Sequence, residues 1–268
     1  MVRKLLKIVG CVLFGLTAGG CEQVNDRNQL AVYLCDSPAE YGGLDCYVDR
    51  VEVRSARSGE WIAMEVPGRY FAMMELVNGK MQEAGRVTLP EGERIDAVRI
   101  GWAPEGNRVV IAGVPFPLGV GEGEENSTVE FPEVAMEGPN RALLFDLDVA
   151  ASVVDDPTVE SGYRFRPQVE FVDTEACGVV QGGLQVGRSA VTSRLWLRFT
   201  DVETGWSGST YCALDPAGAF FMRLRPGRYR FEVVPGAETG VEDYAAQVEV
   251  SRQRVTDLGT IVLEAKGL

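Results

Sequence analysis

Residues Leu30 to Ser55 read LAVYLCDSPAEYGGLDCYVDRVEVRS, and this stretch decides the fold class. Leu30-Ala31-Val32-Tyr33-Leu34 is apolar at every position, as in a short core strand or one covered on both faces. Asp36-Ser37-Pro38 breaks it, because proline cannot donate to a ladder and Asp and Ser favour turns. Tyr41-Gly42-Gly43 continues the loop. Val51-Glu52-Val53-Arg54 then alternates apolar and charged residues, the mark of a half-buried strand. The stretch predicts two strands joined by a loop. Cys35 ends the first and Cys46 opens the second. As antiparallel neighbours they would bring the two thiols within disulfide reach, and so short a loop would contribute about 2–3 kcal/mol.

Upstream, residues 1–20 read as a secretory signal. Arg3, Lys4 and Lys7 form a basic start, and Leu5 to Ala18 is mostly apolar but too short to span a bilayer. Leu16-Thr17-Ala18-Gly19-Gly20-Cys21 resembles a bacterial lipobox, with small residues just before the cysteine and Ala18 where Leu is usual. Lipidation of Cys21 would anchor the chain through several acyl chains. Ile8-Val9-Gly10-Cys11 fits the local consensus better but leaves almost no apolar core to the signal. An ordinary cleaved signal, or an unprocessed Cys21, is the plain alternative. Residues 21–28 are polar and read as a tether. Removing residues 1–20 takes away Arg3, Lys4 and Lys7 and no acid, so the net charge moves from −13 to −16. That balance, without a basic patch, argues against a nucleic-acid partner. The chain has no histidine, which excludes Ser-His-Asp and Cys-His catalysis and His-containing zinc sites.

Downstream, short strands follow one another with turn residues between them. Candidates are Trp61–Met64, Tyr70–Leu76 (a strand or a short helix), Ile95–Ile100, a hairpin over Arg108–Phe116, Val129–Val134 and Ala142–Val149. The prolines in the second arm of that hairpin place it at an edge. Asn126-Ser127-Thr128 fits a glycosylation sequon, which in a bacterial lipoprotein is coincidence. Residues 173–176 mark a boundary. Beyond it, Leu195–Phe199 is a strand. Phe220, Met222 and Leu224 share one strand face, and Tyr229, Phe231 and Val233 face inward on the return strand. No long helical pattern appears. The expectation is an all-β chain of two tandem β-sandwiches, Ig-like in type, over residues 29–173 and 177–268.

The first half resembles the bacterial lipoprotein family called domain of unknown function 4382. The resemblance rests on Cys35-Asp36-Ser37-Pro38 and Tyr47-Val48-Asp49, then Met73 to Gly79 with its closing Asn78-Gly79. Leu89-Pro90-Glu91-Gly92, Leu143 to Asp148 and Phe165 to Val169 complete it. It spans about residues 29–172 and implies no known activity; the cysteine pair departs from the usual pattern. Asp215, Gly218, Phe220, Leu224, Pro226, Gly227 and Tyr229 are similar to the signature of carboxypeptidase regulatory-like domains, over about 177–265. That resemblance implies a prealbumin-like sandwich acting as a non-catalytic module.

Four cysteines remain once Cys11 is removed and Cys21 lipidated, and an even number in an exported chain favours disulfides. Cys35 would pair with Cys46, and Cys177 with Cys212; free buried thiols are the alternative. No closely spaced ligand pairs are present for a four-cysteine zinc site. Asp146 and Asp148 lie on one strand face at a separation of roughly 7 Å, which would suit a glycosidase pair. A solvated sheet face explains them as well. Asp36, Glu40, Asp45 and Asp49 crowd the first loop without the Asp-x-Asp-x-Asp-Gly order of a calcium loop. Trp206, between Gly205 and Gly208, is an aromatic that could contact sugar or protein, or fold back on its own sandwich. The expectation is therefore an outer-membrane lipoprotein, on the surface or periplasmic face, without cofactor or metal. It would bind a glycan or an envelope or host protein, or assemble with partners. A carboxylate-dependent carbohydrate-active enzyme and a fimbria-like spacer are the alternatives.

Overall fold

Alternating residues broken by Gly, Pro and Asp make strands with one dry and one wet face, and in the computed structural model nearly every element is a strand. The structure describes residues 28–37, 39–137, 140–234 and 240–266. Cys11, Cys21 and the whole signal segment lie outside them.

The first half holds β1 (Gln29–Ser37), β2 (Gly43–Ser55), β3 (Trp61–Ala63), β4 (Tyr70–Ala72), β5 (Gln82–Thr88), β6 (Arg94–Trp102) and β7 (Asn107–Ile111). It continues with β8 (Val114–Val120), β9 (Asn126–Ala135), β10 (Asn140–Asp148), β11 (Val153–Asp155), β12 (Tyr163–Phe165) and β13 (Val169–Val172). A 3-10 turn, Met73–Glu75, follows β4, so the Tyr70–Leu76 segment is strand and helix in succession. One sheet runs β13-β10-β1-β5, and the other runs β11-β12-β8-β7-β2-β6-β9 with β3 and β4 also on β2. Leu30, Val32, Leu34 and Phe145 from the first sheet share a core with Val51, Val53, Val98 and Ile100 from the second.

The expected pairing of β1 with β2 does not form. The two strands lie in different sheets, and β1 is flanked instead by β10, parallel, and β5, antiparallel. A central strand needs apolar residues throughout, which explains the composition of Leu30–Leu34. Cys35 therefore sits in register with Asp146, and Cys46 with Phe71. The Cys35–Cys46 staple is corrected accordingly: both are free thiols. The hairpin of β7 and β8 does form, but β8 is not wholly an edge. Beyond Pro115 and Pro117, its last residues Gly119 and Val120 pair with β12.

The second half holds β14 (Gly178–Val186), β15 (Ser189–Ala190), β16 (Trp196–Asp201), β17 (Ser207–Tyr211), β18 (Phe220–Leu224), β19 (Gly227–Val234), β20 (Tyr244–Val250) and β21 (Val255–Leu263). β14 pairs with β15, β18 and β21, and the facing sheet runs β17-β16-β19-β20. Phe231 stacks on Phe199 at 4.8 Å and on Phe220 at 5.6 Å, joining the two sheets. Gly218 and Tyr229 have visible work in this half. A Cβ on Gly218 would lie 2.1 Å from the Leu184 carbonyl oxygen, at φ +82°. The Tyr229 hydroxyl donates to the Arg225 carbonyl at 2.9 Å and clamps the Pro226-Gly227 turn. Cys177 and Cys212 attach to different sheets and are also free, which corrects the second expected staple. Among the described residues, no helix is long and apolar enough to cross a membrane.

Candidate functional site

The Asn78-Gly79 turn is where the two sandwiches meet. Both residues adopt positive φ, +61° and +81°, which Asn and Gly tolerate best. That conformation turns the Asn78 amide toward β18. Its Nδ2 donates to the Ala219 carbonyl at 3.1 Å, and its Oδ1 accepts from the Phe221 N–H. Gly79 lies flat against the Phe221 ring, where a Cβ would stand 2.6 Å from Cδ1. On the far side, the Tyr211 hydroxyl donates to the Ala39 carbonyl at 3.0 Å, and the Tyr211 ring packs on the first core. Arg194 reaches Glu75 at 3.4 Å.

These contacts enclose a cleft of about 70 Å³. Its walls include Cys35, Asp36 and Asp146 from the first sandwich and Ser209, Thr210 and Arg223 from the second, with Lys80 also lining it. Asp36 is the last residue but one of β1, so the parallel register sets it opposite Leu147 and between Asp146 and Asp148. Its N–H donates to the Leu76 carbonyl at 3.1 Å. Its side chain is buried, the residue keeping 8 % exposure, and neither carboxyl oxygen has a hydrogen-bond partner among the described residues. Burial, and then the neighbouring charges of Asp146 and Asp148, hold this carboxyl well above the usual carboxylate range. Across the junction, the buried Thr210 hydroxyl is likewise unpartnered. The Cys35 thiol donates to Asp146 at 3.8 Å and is pushed up, first by burial and then by Asp146.

The remaining candidates separate. Asp148 is a helix cap: its Oδ1 accepts from the Ala151 N–H at 2.9 Å, ahead of the turn Val149–Ser152. Asp146 faces the junction rather than open solvent. The acids of the first loop do not gather: Asp45 bonds Tyr70 (2.7 Å) and Arg108, Asp49 bonds Arg69, and Asp36 is buried in the junction. Among the described residues, no group of three acids, cysteines or histidines could hold a metal ion. Trp206 is half-exposed, its ring lying over Gly208 beside Met222, so it folds back on its own sandwich. Cys46 and Cys212 are core residues. Sequence reasoning passed over Thr210 and Tyr211 altogether. It saw Asn78-Gly79 as a motif, and its positive-φ preference was the available sign of a turn.

A family model described as domain of unknown function (DUF4382) matches residues 27–167. No curated protein matches the sequence. Among solved structures, the chain is similar to the Bacillus anthracis TIE protein, with 11 % identity and a TM-score of 0.28. That match covers 89 % of this chain and 34 % of the other, so this chain spans about a third of that protein. A streptococcal ancillary pilin matches at 11 % identity and a TM-score of 0.27, over 88 % of this chain and 69 % of that one. The minor pilin GBS52 of Streptococcus agalactiae matches at 10 % identity and a TM-score of 0.26, over 90 % and 97 %. Likeness at this level says nothing of what the chain binds.

Proposed function

This chain belongs to the family of the domain of unknown function DUF4382, and from that premise we propose a lipid-anchored protein of the bacterial cell envelope that binds or assembles without chemistry of its own. The observation that carries the reading is how the acidic pair is used. Asp148 caps a helical turn, and Asp146 accepts from the Cys35 thiol inside a cleft of about 70 Å³. Small-molecule sites run to about 300–1,000 Å³, so this cleft does not admit a sugar ring to Asp146, and Asp148 is already engaged as a cap. The second unit, residues 177–268, acts as a carboxypeptidase regulatory-like module whose Gly218 and Tyr229 serve the fold. The first unit, 29–173, follows the anchor at Cys21 and its tether, at the surface or periplasmic face of the outer membrane. Its partner is a glycan or an envelope or host protein met through loops. The excess of acid argues against nucleic acid.

Labelling growing cells with a radioactive fatty acid tests the anchor. Wild type is expected to carry the label and to fractionate with membranes, and Cys21→Ser to lose both properties. A glycan panel presented to the full-length protein tests the absence of chemistry. Binding without turnover is expected; cleavage of any glycan that disappears in Asp146→Asn would overturn the reading.

A further inference from the structure

We propose that the junction between the two sandwiches is a pH-operated latch, closed while the Asp36 carboxyl carries its proton and released when that carboxyl ionises. Two observations place the device at this residue. Asp36 is buried in the junction with both carboxyl oxygens unpartnered, and the Thr210 hydroxyl buried on the opposite wall has no partner either. The cleft beside them is only about 70 Å³, and the Asp36 oxygens themselves are closed off from solvent. A protonated carboxyl and a hydroxyl are neutral and tolerate such a space. A carboxylate does not, because a buried charge without hydrogen bonds is costly.

The groups around Asp36 do not rescue the charged form. From its own strand comes Cys35, and from β10 come Asp146 and Asp148. Cys46 on β2 and Tyr211 at the end of β17 feel its charge, and Tyr211 also faces Glu40 and Arg194. Lys80 and Arg223 line the cleft, but neither bonds the Asp36 carboxyl, and the Arg223 guanidinium lies over the Phe221 ring at 4.8 Å. Burial pushes Tyr211 up to about 12 and raises both thiols, so these three stay neutral across the working range. The ionising carboxyl therefore meets two further aspartates and no bonded cation.

The coupling to the junction is short. The Asp36 N–H holds the Leu76 carbonyl, Leu76 leads into Asn78, and Asn78 grips β18 at Ala219 and Phe221. Hydrating an Asp36 carboxylate pulls at the base of that loop and weakens the grip.

Hydrogen exchange of single amides in the full-length protein tests the latch. The Phe221 amide reports the junction, and the Phe231 amide, inside β19, is the internal reference. From about pH 5 to about pH 9, after correction for intrinsic exchange, Phe221 protection is expected to fall at least about tenfold relative to Phe231. In Asp36→Asn, which is neutral at every pH, the ratio is expected to stay flat. A flat wild-type ratio, or an equal fall in Asp36→Asn, overturns the proposal. Should Asp36→Asn fail to fold, carbon-13 titration of the wild-type Asp36 carboxyl decides. Titration in the ordinary carboxylate range overturns the latch, and titration above it in step with loss of Phe221 protection upholds it.

Discussion

Two glycines with nearly the same backbone torsion face different consequences. Gly92 has φ +75° and open space where a Cβ would stand, whereas Gly218 has φ +82° and the Leu184 carbonyl oxygen 2.1 Å from that position. Gly92→Ala bears only the left-handed penalty, about 1–2 kcal/mol. Gly218→Ala adds a collision with backbone that cannot move without parting β14 from its neighbours, and is expected to cost beyond about 3 kcal/mol. Urea midpoints measure both; equal shifts would show that the close approach has no energetic weight. The thiols give a second prediction at this scale. Burial is the largest influence on all four and raises each above the ordinary thiol value. The thiolate is the nucleophile, so Cys35, Cys46, Cys177 and Cys212 are expected to react slowly with a disulfide reagent at about pH 8 and fully once unfolded. Peptide mapping after alkylation checks the correction to the staples. A cross-linked peptide joining Cys35 to Cys46 would restore the disulfide reading.

At the scale of elements, the Asn78-Gly79 turn and the end of β17 hold the sandwiches together. Asn78→Ala removes two hydrogen bonds to β18, and Tyr211→Phe removes the bond to Ala39. Each bond is worth about 0.5–1.5 kcal/mol. Calorimetry of the wild type is expected to show one transition, and the double variant two, as each core melts separately. Two transitions already present in the wild type would mean that the junction does not couple them. The same elements show what the sequence could disclose. Strand character was readable in Val51–Arg54 and in Tyr229, Phe231 and Val233, because alternation is a local property. The neighbours of β1 were not, because β10 joins it in parallel from over a hundred residues away. Nothing in Leu30–Leu34 distinguishes that partner from β2. β5 escaped notice because Gln82, Glu83 and Arg86 give Gln82–Thr88 little apolar pattern. Within the site, Asp36 was visible as a turn residue of a family motif. Its place in the junction, with Thr210 of the other sandwich lining the same cleft, is brought about by no local pattern.

For the whole molecule, stability against pH is a balance of carboxylates shifted in opposite directions. The Arg94 N–H and the Ser55 hydroxyl hold Glu93 low, and the Thr158 hydroxyl and N–H hold Asp156 low. The Thr204 and Glu203 amides do the same for Asp201, and the Gly259 amide with Gln181 for Asp257. These groups favour the fold once they are ionised in the unfolded chain, and that contribution is lost as pH falls through their depressed folded values. Asp257 is exposed and the other three remain in contact with solvent, so each contributes little. Asp36 has the opposite sign. Its folded value is raised, so folding takes up a proton wherever the unfolded chain is already ionised and the native carboxyl is not. Its contribution is intact below the unfolded value of 3.8 and is lost as pH climbs toward the raised folded value. Comparing wild type with Asp36→Asn isolates it, because the other four carboxylates are common to both. Urea midpoints from about pH 3 to about pH 9 are expected to show Asp36→Asn pulling ahead of wild type from about pH 4 upward. The gap should stop growing once the native carboxyl ionises. Parallel curves would place Asp36 in the ordinary carboxylate range and remove the reason for the two sandwiches to sense pH.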